Sequence, residues 1–170
     1  ADTMVTASTI KTQKAWEVLD EVMDPEVPVV SVTDLGIVRQ LRIENDTVFV
    51  TVTPTYTGCP ATDVINMLIR AALLEAGFAH VHIEQVLSPA WTTDWMSERG
   101  KQRLEAYGIA APLPRQNVCH PQRFALEEAI RCPHCHSYHT HRVSEFGSTA
   151  CKALYQCLDC QEPFDYFKCH

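Results

Sequence analysis

The segment Thr51-Val52-Thr53-Pro54-Thr55-Tyr56-Thr57-Gly58-Cys59-Pro60-Ala61-Thr62-Asp63-Val64-Ile65-Asn66-Met67-Leu68-Ile69-Arg70-Ala71-Ala72-Leu73-Leu74-Glu75-Ala76-Gly77 passes from strand to turn to helix. Just upstream, Val48, Val50 and Val52 alternate with Phe49 and Thr51, the period-2 pattern of a strand. Pro54 ends it, because proline cannot donate to a sheet ladder. Pro60 reads as the first helical position, where a missing N–H costs nothing. The nearly unbroken apolar run Val64–Leu74 predicts a central helix covered on several sides, and Gly77 its left-handed stop. Cys59 then sits at a helix N-terminus, where free N–H groups and the macrodipole favour an anion and predict a lowered thiol pKa. Such a thiolate serves as nucleophile, redox centre or metal ligand; the alternative is a small capping or buried residue.

Upstream, Ala15, Val18, Leu19, Val22 and Met23 repeat at helical spacing, and Asp24-Pro25 predicts the helix end. A loop over Glu26–Asp34 leads to a strand over Gly36–Ile43, and Glu44-Asn45-Asp46 to a hairpin turn. Downstream, Val81, Ile83 and Leu87 mark one more strand, expected parallel to the one before Cys59 through a right-handed crossover. That arrangement puts the Cys59 turn beyond a strand's carboxyl end, where α/β sheets place their sites. Ser88–Gly108 reads as a weaker helical segment, capped by Thr93 and packed by Trp95, Met96, Leu104 and Tyr107. Three prolines mark Ala110–Pro121 as a linker.

Cys132-x-x-Cys135 and Cys157-x-x-Cys160 are two knuckles separated by 21 residues. Each knuckle presents two sulfurs, and together they complete a tetrahedral site. Short strands over His141–Phe146, Ala153–Gln156 and Phe164–Lys168 give the layout of a zinc ribbon. The ion is expected to be a structural Zn2+, with iron in the same cage as the rival. So small a module predicts almost no core and a fold that depends on its metal. Cys151 and Cys169 are two further thiols in the ribbon and suggest a second soft-metal site, which His170 could join; Cys119 lies in the linker. The histidines at 134, 136, 139 and 141, and at 80 and 82, read as solvated strand faces.

With 170 residues the chain can hold one fair-sized core and a second small module. The fold class expected is α+β or α/β: a small mixed-sheet domain with packed helices over residues 1–109, a linker over 110–127, and a β-rich zinc ribbon over 128–170. A net charge of −7, and four Lys/Arg against four Asp/Glu from Arg131 to His170, argue against nucleic acid as a partner. No apolar run is long enough for a membrane span. The first residues show no signal pattern, and Ala1-Asp2-Thr3 ahead of Met4 read as a cloning remnant. Clustered, paired cysteines without that pattern point to metal binding in a reducing cytoplasm.

Three ordered motifs carry a resemblance. Asp24-Pro25-Glu26-Val27-Pro28, Ser31-Val32-Thr33-Asp34-Leu35-Gly36-Ile37-Val38 and Thr57-Gly58-Cys59-Pro60 resemble the small domain of iron–sulfur maturation factors of the SufT and cytosolic-assembly type. With Ser88–Met96, Phe146–Leu154 and Glu162-Pro163-Phe164, the whole chain resembles the PaaD family of phenylacetate degradation.

The resemblance implies an accessory protein, not a catalytic subunit, that matures a metal centre of the multicomponent phenylacetyl-CoA epoxidase. The implied client is the ferredoxin-type iron–sulfur reductase subunit, ahead of the di-iron oxygenase subunit. The implied cargo is a transient iron–sulfur cluster or iron at Cys59, with Asp34 nearby and Cys151, Cys169 or a second protomer aiding. Asp34 is alternatively a turn cap. One cysteine cannot hold a cluster alone, so a homodimer or client ligands are expected. Two rivals stand beside this reading: a non-catalytic scaffold subunit of the complex, and a thiol-dependent enzyme with Cys59 as nucleophile and His80 or His82 as base.

Overall fold

The computed structural model describes residues 2–55, 58–112, 130–147, 149 and 152–167. It divides into two compact units, Ala1–Trp91 and Thr92–His170.

The first unit begins with α1 (Asp2–Asp20), followed by β1 (Val38–Glu44), β2 (Thr47–Val52), α2 (Ala61–Glu75) and β3 (His80–Gln85). The sheet order is β1-β2-β3, with β1 antiparallel and β3 parallel to β2. The β1–β2 hairpin turns at Asn45 and Asp46, both at positive φ (46° and 64°), a conformation these two residues tolerate better than most. The alternation of β2 buries Val48, Val50 and Val52 on one face. Ala15 and Leu19 of α1, and Ile65, Ile69 and Leu73 of α2, are buried with them, and both helices pack on the sheet and on each other.

Several expectations need correction. α1 ends at Asp20 rather than at Asp24-Pro25. Its last turn tightens, with Glu21 N–H on Val18 O (3.2 Å) and Val22 N–H on Leu19 O (3.1 Å). The backbone beyond is claimed by the next loop: Val32 N–H donates to Val22 O and Asp24 N–H to Val30 O, both at 2.9 Å. Met23 is therefore exposed, not packed. β1 starts at Val38, because Gly36 (φ 71°) turns the chain first. Among the described residues α2 is covered on one side alone: Val64, Met67, Leu68 and Leu74 are 41%, 65%, 38% and 46% exposed. The helix does stop at Gly77 (φ 97°), where Phe78 N–H reaches Leu73 O (3.2 Å) in a Schellman closure.

The second unit carries a 3-10 turn (Thr93–Trp95), α3 (Glu98–Ala106), β4 (Ile109–Ala110), β5 (Thr140–Ser144), β6 (Lys152–Cys157) and β7 (Pro163–Phe167). The caps are Thr92 and Ser97, not Thr93; Thr93 is buried, and Tyr107 is 59% exposed instead of packed. The strand order is β4-β7-β6-β5. Ala110, read as linker, pairs with Tyr166 in a parallel β4–β7 ladder, so the helical segment after Trp91 falls in the same unit as the ribbon. The ribbon also has more core than expected. Ala110, Ile130, Ala153, Tyr155, Phe164 and Tyr166 cluster with Cys132 and Cys157. Tyr155 stacks on Phe164 (5.9 Å between centroids) and meets Tyr166 edge-on (5.7 Å).

Candidate functional site: a closed thiolate cage and an open cysteine turn

The β5–β6 pairing sets Thr140 opposite Cys157 and so brings the two knuckles face to face. The sulfurs of Cys132, Cys135, Cys157 and Cys160 all lie within 4.8 Å of one another, with Cys132–Cys160 at 3.8 Å and Cys135–Cys157 at 3.5 Å. Zn–S bonds of ~2.3 Å at tetrahedral angles require sulfurs ~3.8 Å apart, so this donor set fits a zinc ion. Cys132 and Cys157 are buried, Cys160 partly so, and Cys135 exposed. The backbone N–H of Cys160, helped by that of Asp159, brings the Cys157 thiol down to about 7. The N–H of Glu162 pulls Cys160 the same way, but burial and the thiols of Cys135, Cys157 and Cys132 outweigh it and push Cys160 up to about 12. A divalent cation is what lets all four sulfurs ionise together.

A second layer, unread in the sequence, ties the knuckles together. Asp159, inside the second knuckle, accepts from Ser137 Oγ and contacts His139 Nδ1 at 3.1 Å. These contacts hold its carboxyl below the usual range, Ser137 foremost. Leu158 N–H also reaches His139 O at 2.8 Å. The local signal was the Asp within Cys157-Leu158-Asp159-Cys160, but its partners lie some twenty residues away. The ribbon histidines are not one strand face: His136 Nδ1 lies 3.7 Å from Glu105, and His141 Nδ1 is buried. Cys119, Cys151, Cys169 and His170 lie outside the described residues.

Cys59 is half-buried in the turn between β2 and α2. Gly58 takes φ 77°, and a Cβ built there meets nothing within 4 Å among the described residues, so the turn is open on that side. Pro60 provides no side-chain cap, while the Cys59 carbonyl accepts from Thr62 N–H at 3.1 Å. Asp34 is fully buried. Its Oδ2 accepts from Ser31 N–H (3.3 Å), and its own N–H donates to Ser31 Oγ (3.0 Å), which closes the loop. Ser31 Oγ lies 2.8 Å from Thr33 Oγ1, which donates to Asp20 at the end of α1. Trp91 Nε1 donates to Leu35 O at 2.8 Å and pins the same loop.

Asp24 fixes the preceding turn through Glu26 N–H (2.8 Å) and Val27 N–H (2.9 Å). Val38 pairs with Val52, so the Asp34 loop and the Cys59 turn leave the sheet at the same end.

His80 and His82 do not share that end. His80 pairs with Thr47, at the start of β2, five residues or ~17 Å of strand before its end at Val52. His82 pairs with Phe49 and rests against its ring (5.5 Å). Strand register thus sets both histidines back from the sheet end at which the Cys59 turn leaves. A cavity of about 370 Å3 at the hairpin end, lined by Lys11, Lys14, Asp46 and Phe78, is likewise remote from Cys59.

Residues 12–83 match the family described as an iron–sulfur cluster assembly protein, and residues 118–168 match the PaaD zinc beta ribbon domain. An Escherichia coli (strain K12) protein, named as a putative subunit of 1,2-phenylacetyl-CoA epoxidase, is 46% identical over 166 residues, spanning 98% of each chain. An Fe-S protein maturation auxiliary factor of Porphyromonas gingivalis is 39% identical over 89 residues, 51% of this chain and 83% of that protein. A solved structure of a domain of unknown function, DUF59, from Bacillus anthracis superimposes with a TM-score of 0.54 at 26% identity, covering 59% of this chain and 96% of that one. Fold and site together define a two-part protein, an iron–sulfur-assembly domain followed by a zinc ribbon. The chain belongs to the PaaD family.

Proposed function

We propose that this chain is a cytoplasmic, non-catalytic maturation factor of a phenylacetyl-CoA epoxidase, which delivers an iron–sulfur cluster or iron to the ferredoxin-type reductase subunit. The relatives named as maturation factors support the role, and the one named as an epoxidase subunit supports the complex. The observation that carries the reading is the contrast between two cysteine environments. Four thiols are packed sulfur to sulfur in a cage, while Cys59, among the described residues, has no other metal-binding side chain grouped with it and lies in a turn open at Gly58, at the start of a helix. A metal that must leave needs the second kind of site; a metal that holds a fold needs the first. Cys59 contacts the cargo, and a client or a second protomer completes its ligands. Asp34, held by Ser31, shapes the loop beside it rather than serving as an acid or base.

The test is metal and sulfide content of anaerobically purified and reconstituted protein, wild type against Cys59→Ser. The expected result is about one zinc in both, with iron, sulfide and visible absorption in the wild type alone. Zinc without iron in either leaves the scaffold reading. Iron retained in Cys59→Ser moves the cargo to Cys151 and Cys169.

A further inference from the structure

α2 carries two apolar faces. Ile65, Ile69 and Leu73 face the unit's own core. On the opposite side of the helix, Val64, Met67, Ala71 and Leu74 follow one another at spacings of three, four and three residues, the a-d-a-d pattern of a two-helix seam. All four are exposed; Met67 is the most so of the three large ones. Leu68 and Glu75 flank the seam on one side (e positions), Asp63 and Arg70 on the other (g positions).

We infer that this face pairs with its own copy, α2 lying parallel to the partner's α2 about a two-fold axis. Charge selects the copy and the direction. In the parallel register a g residue meets the e residue of the following heptad across the seam, which sets Arg70 of each protomer against the partner's Glu75 and forms two ion pairs. One N–H of Arg70 holds Val81 O at 2.7 Å, and its remaining donors are at hand for the carboxylate. In an antiparallel pair e faces e and g faces g, so Glu75 lies by the partner's Leu68 and both Arg70–Glu75 ion pairs are lost. The parallel pair also brings both helix N-termini, and so both Cys59 turns, to one end.

The seam spans eleven residues, ~15 Å, too little for the ~800 Å2 per partner of a standing interface. The pair is therefore weak alone, with Kd on the order of 100 μM, and is tightened by anything held between the two cysteines. This last step rests on the cluster-carrier reading; the pairing itself does not.

Sedimentation velocity of the full, zinc-loaded chain tests it, across a concentration series with and without anaerobic iron and sulfide. Expected are a concentration-dependent dimer without iron, at least about tenfold weaker in Met67→Glu and tighter in Met67→Leu. Glu75→Arg sets two arginines together and weakens a parallel pair roughly 2–5-fold, whereas it leaves an antiparallel one, in which Glu75 and Arg70 do not meet, little changed. Iron and sulfide should convert the wild type, but not Cys59→Ser, to a dimer at low micromolar concentration.

A monomer at every concentration, with or without a bound cluster, overturns the pairing. So does a dimer indifferent to Met67→Glu or to Glu75→Arg. Pairing that responds to these variants while no iron is ever bound keeps the interface and removes the carrier function. Circular dichroism of each variant confirms that the fold is intact.

Discussion

Thr53 donates its backbone N–H to the carbonyl of Ile37 at 2.8 Å. This bond fastens the chain leaving β2 to the chain entering β1. It fixes the common root of the two loops that carry Asp34 and Cys59, so neither loop can swing without disturbing the sheet end. The rigid scaffold beneath an open cysteine is what a docking reaction between two proteins requires.

Trp91→Phe removes the indole donor and leaves the carbonyl of Leu35 in a buried site without that bond. The expected cost is about 1–3 kcal/mol in the stability of the first unit, read from urea unfolding followed by circular dichroism. Zinc content should not change.

Asp159→Ala cuts both side-chain ties between the knuckles while keeping all four ligands. Loss of such an outer partner costs roughly 10–100-fold in metal affinity. Competition against a chromophoric chelator should show faster zinc release at unchanged stoichiometry.

Zinc affinity should fall as the solution is acidified, since every ligand must be a thiolate. The sign follows from the proton count. Cys160, pushed up to about 12, always gives up a proton to the metal near neutrality. Cys157, down at about 7, is already ionised above that pH and protonated below it. The same chelator titration repeated at several pH values should therefore steepen below about 7.

Gly147→Ala places a Cβ 2.6 Å from Asp165 Oδ1, beside the buried Lys152, whose Nζ lies 3.8 Å from Asp165. Gly147 N–H also bonds Lys152 O at 2.7 Å, so the backbone has little room to yield. Thermal melting of the zinc-saturated chain should report a loss of about 1–3 kcal/mol.

The sheet of the first unit was legible because its signals are local: alternating valines, an Asn-Asp turn, Pro54 and Gly77. The ribbon ligands were legible for the same reason, since knuckle spacing is written in four consecutive residues. What escaped the sequence depends on partners far along the chain. The end of α1 is set by Val30 and Val32 capturing the backbone of Asp24 and Val22, which pre-empts the proline five residues on. Val64, Met67 and Leu74 are the same residue types as a core face, and composition cannot say whether apolar residues point inward or at another molecule. Ser137 carries no pattern and Asp159 only its place inside a knuckle; a hairpin brings them together. The Asp34 loop was flagged by its motif, while its closure on Ser31 and its burial emerged from the fold alone.

The three-stranded sheet of the first unit ends in β1 on one flank and β3 on the other. Bare flanks of this kind invite strand-by-strand polymerisation. Here Arg39, Arg42 and Glu44 with a register shift between Val38 and Gln40 make β1 charged and irregular, and His80, His82 and Glu84 make β3 polar. Growth into fibres strand by strand is thus discouraged at both flanks.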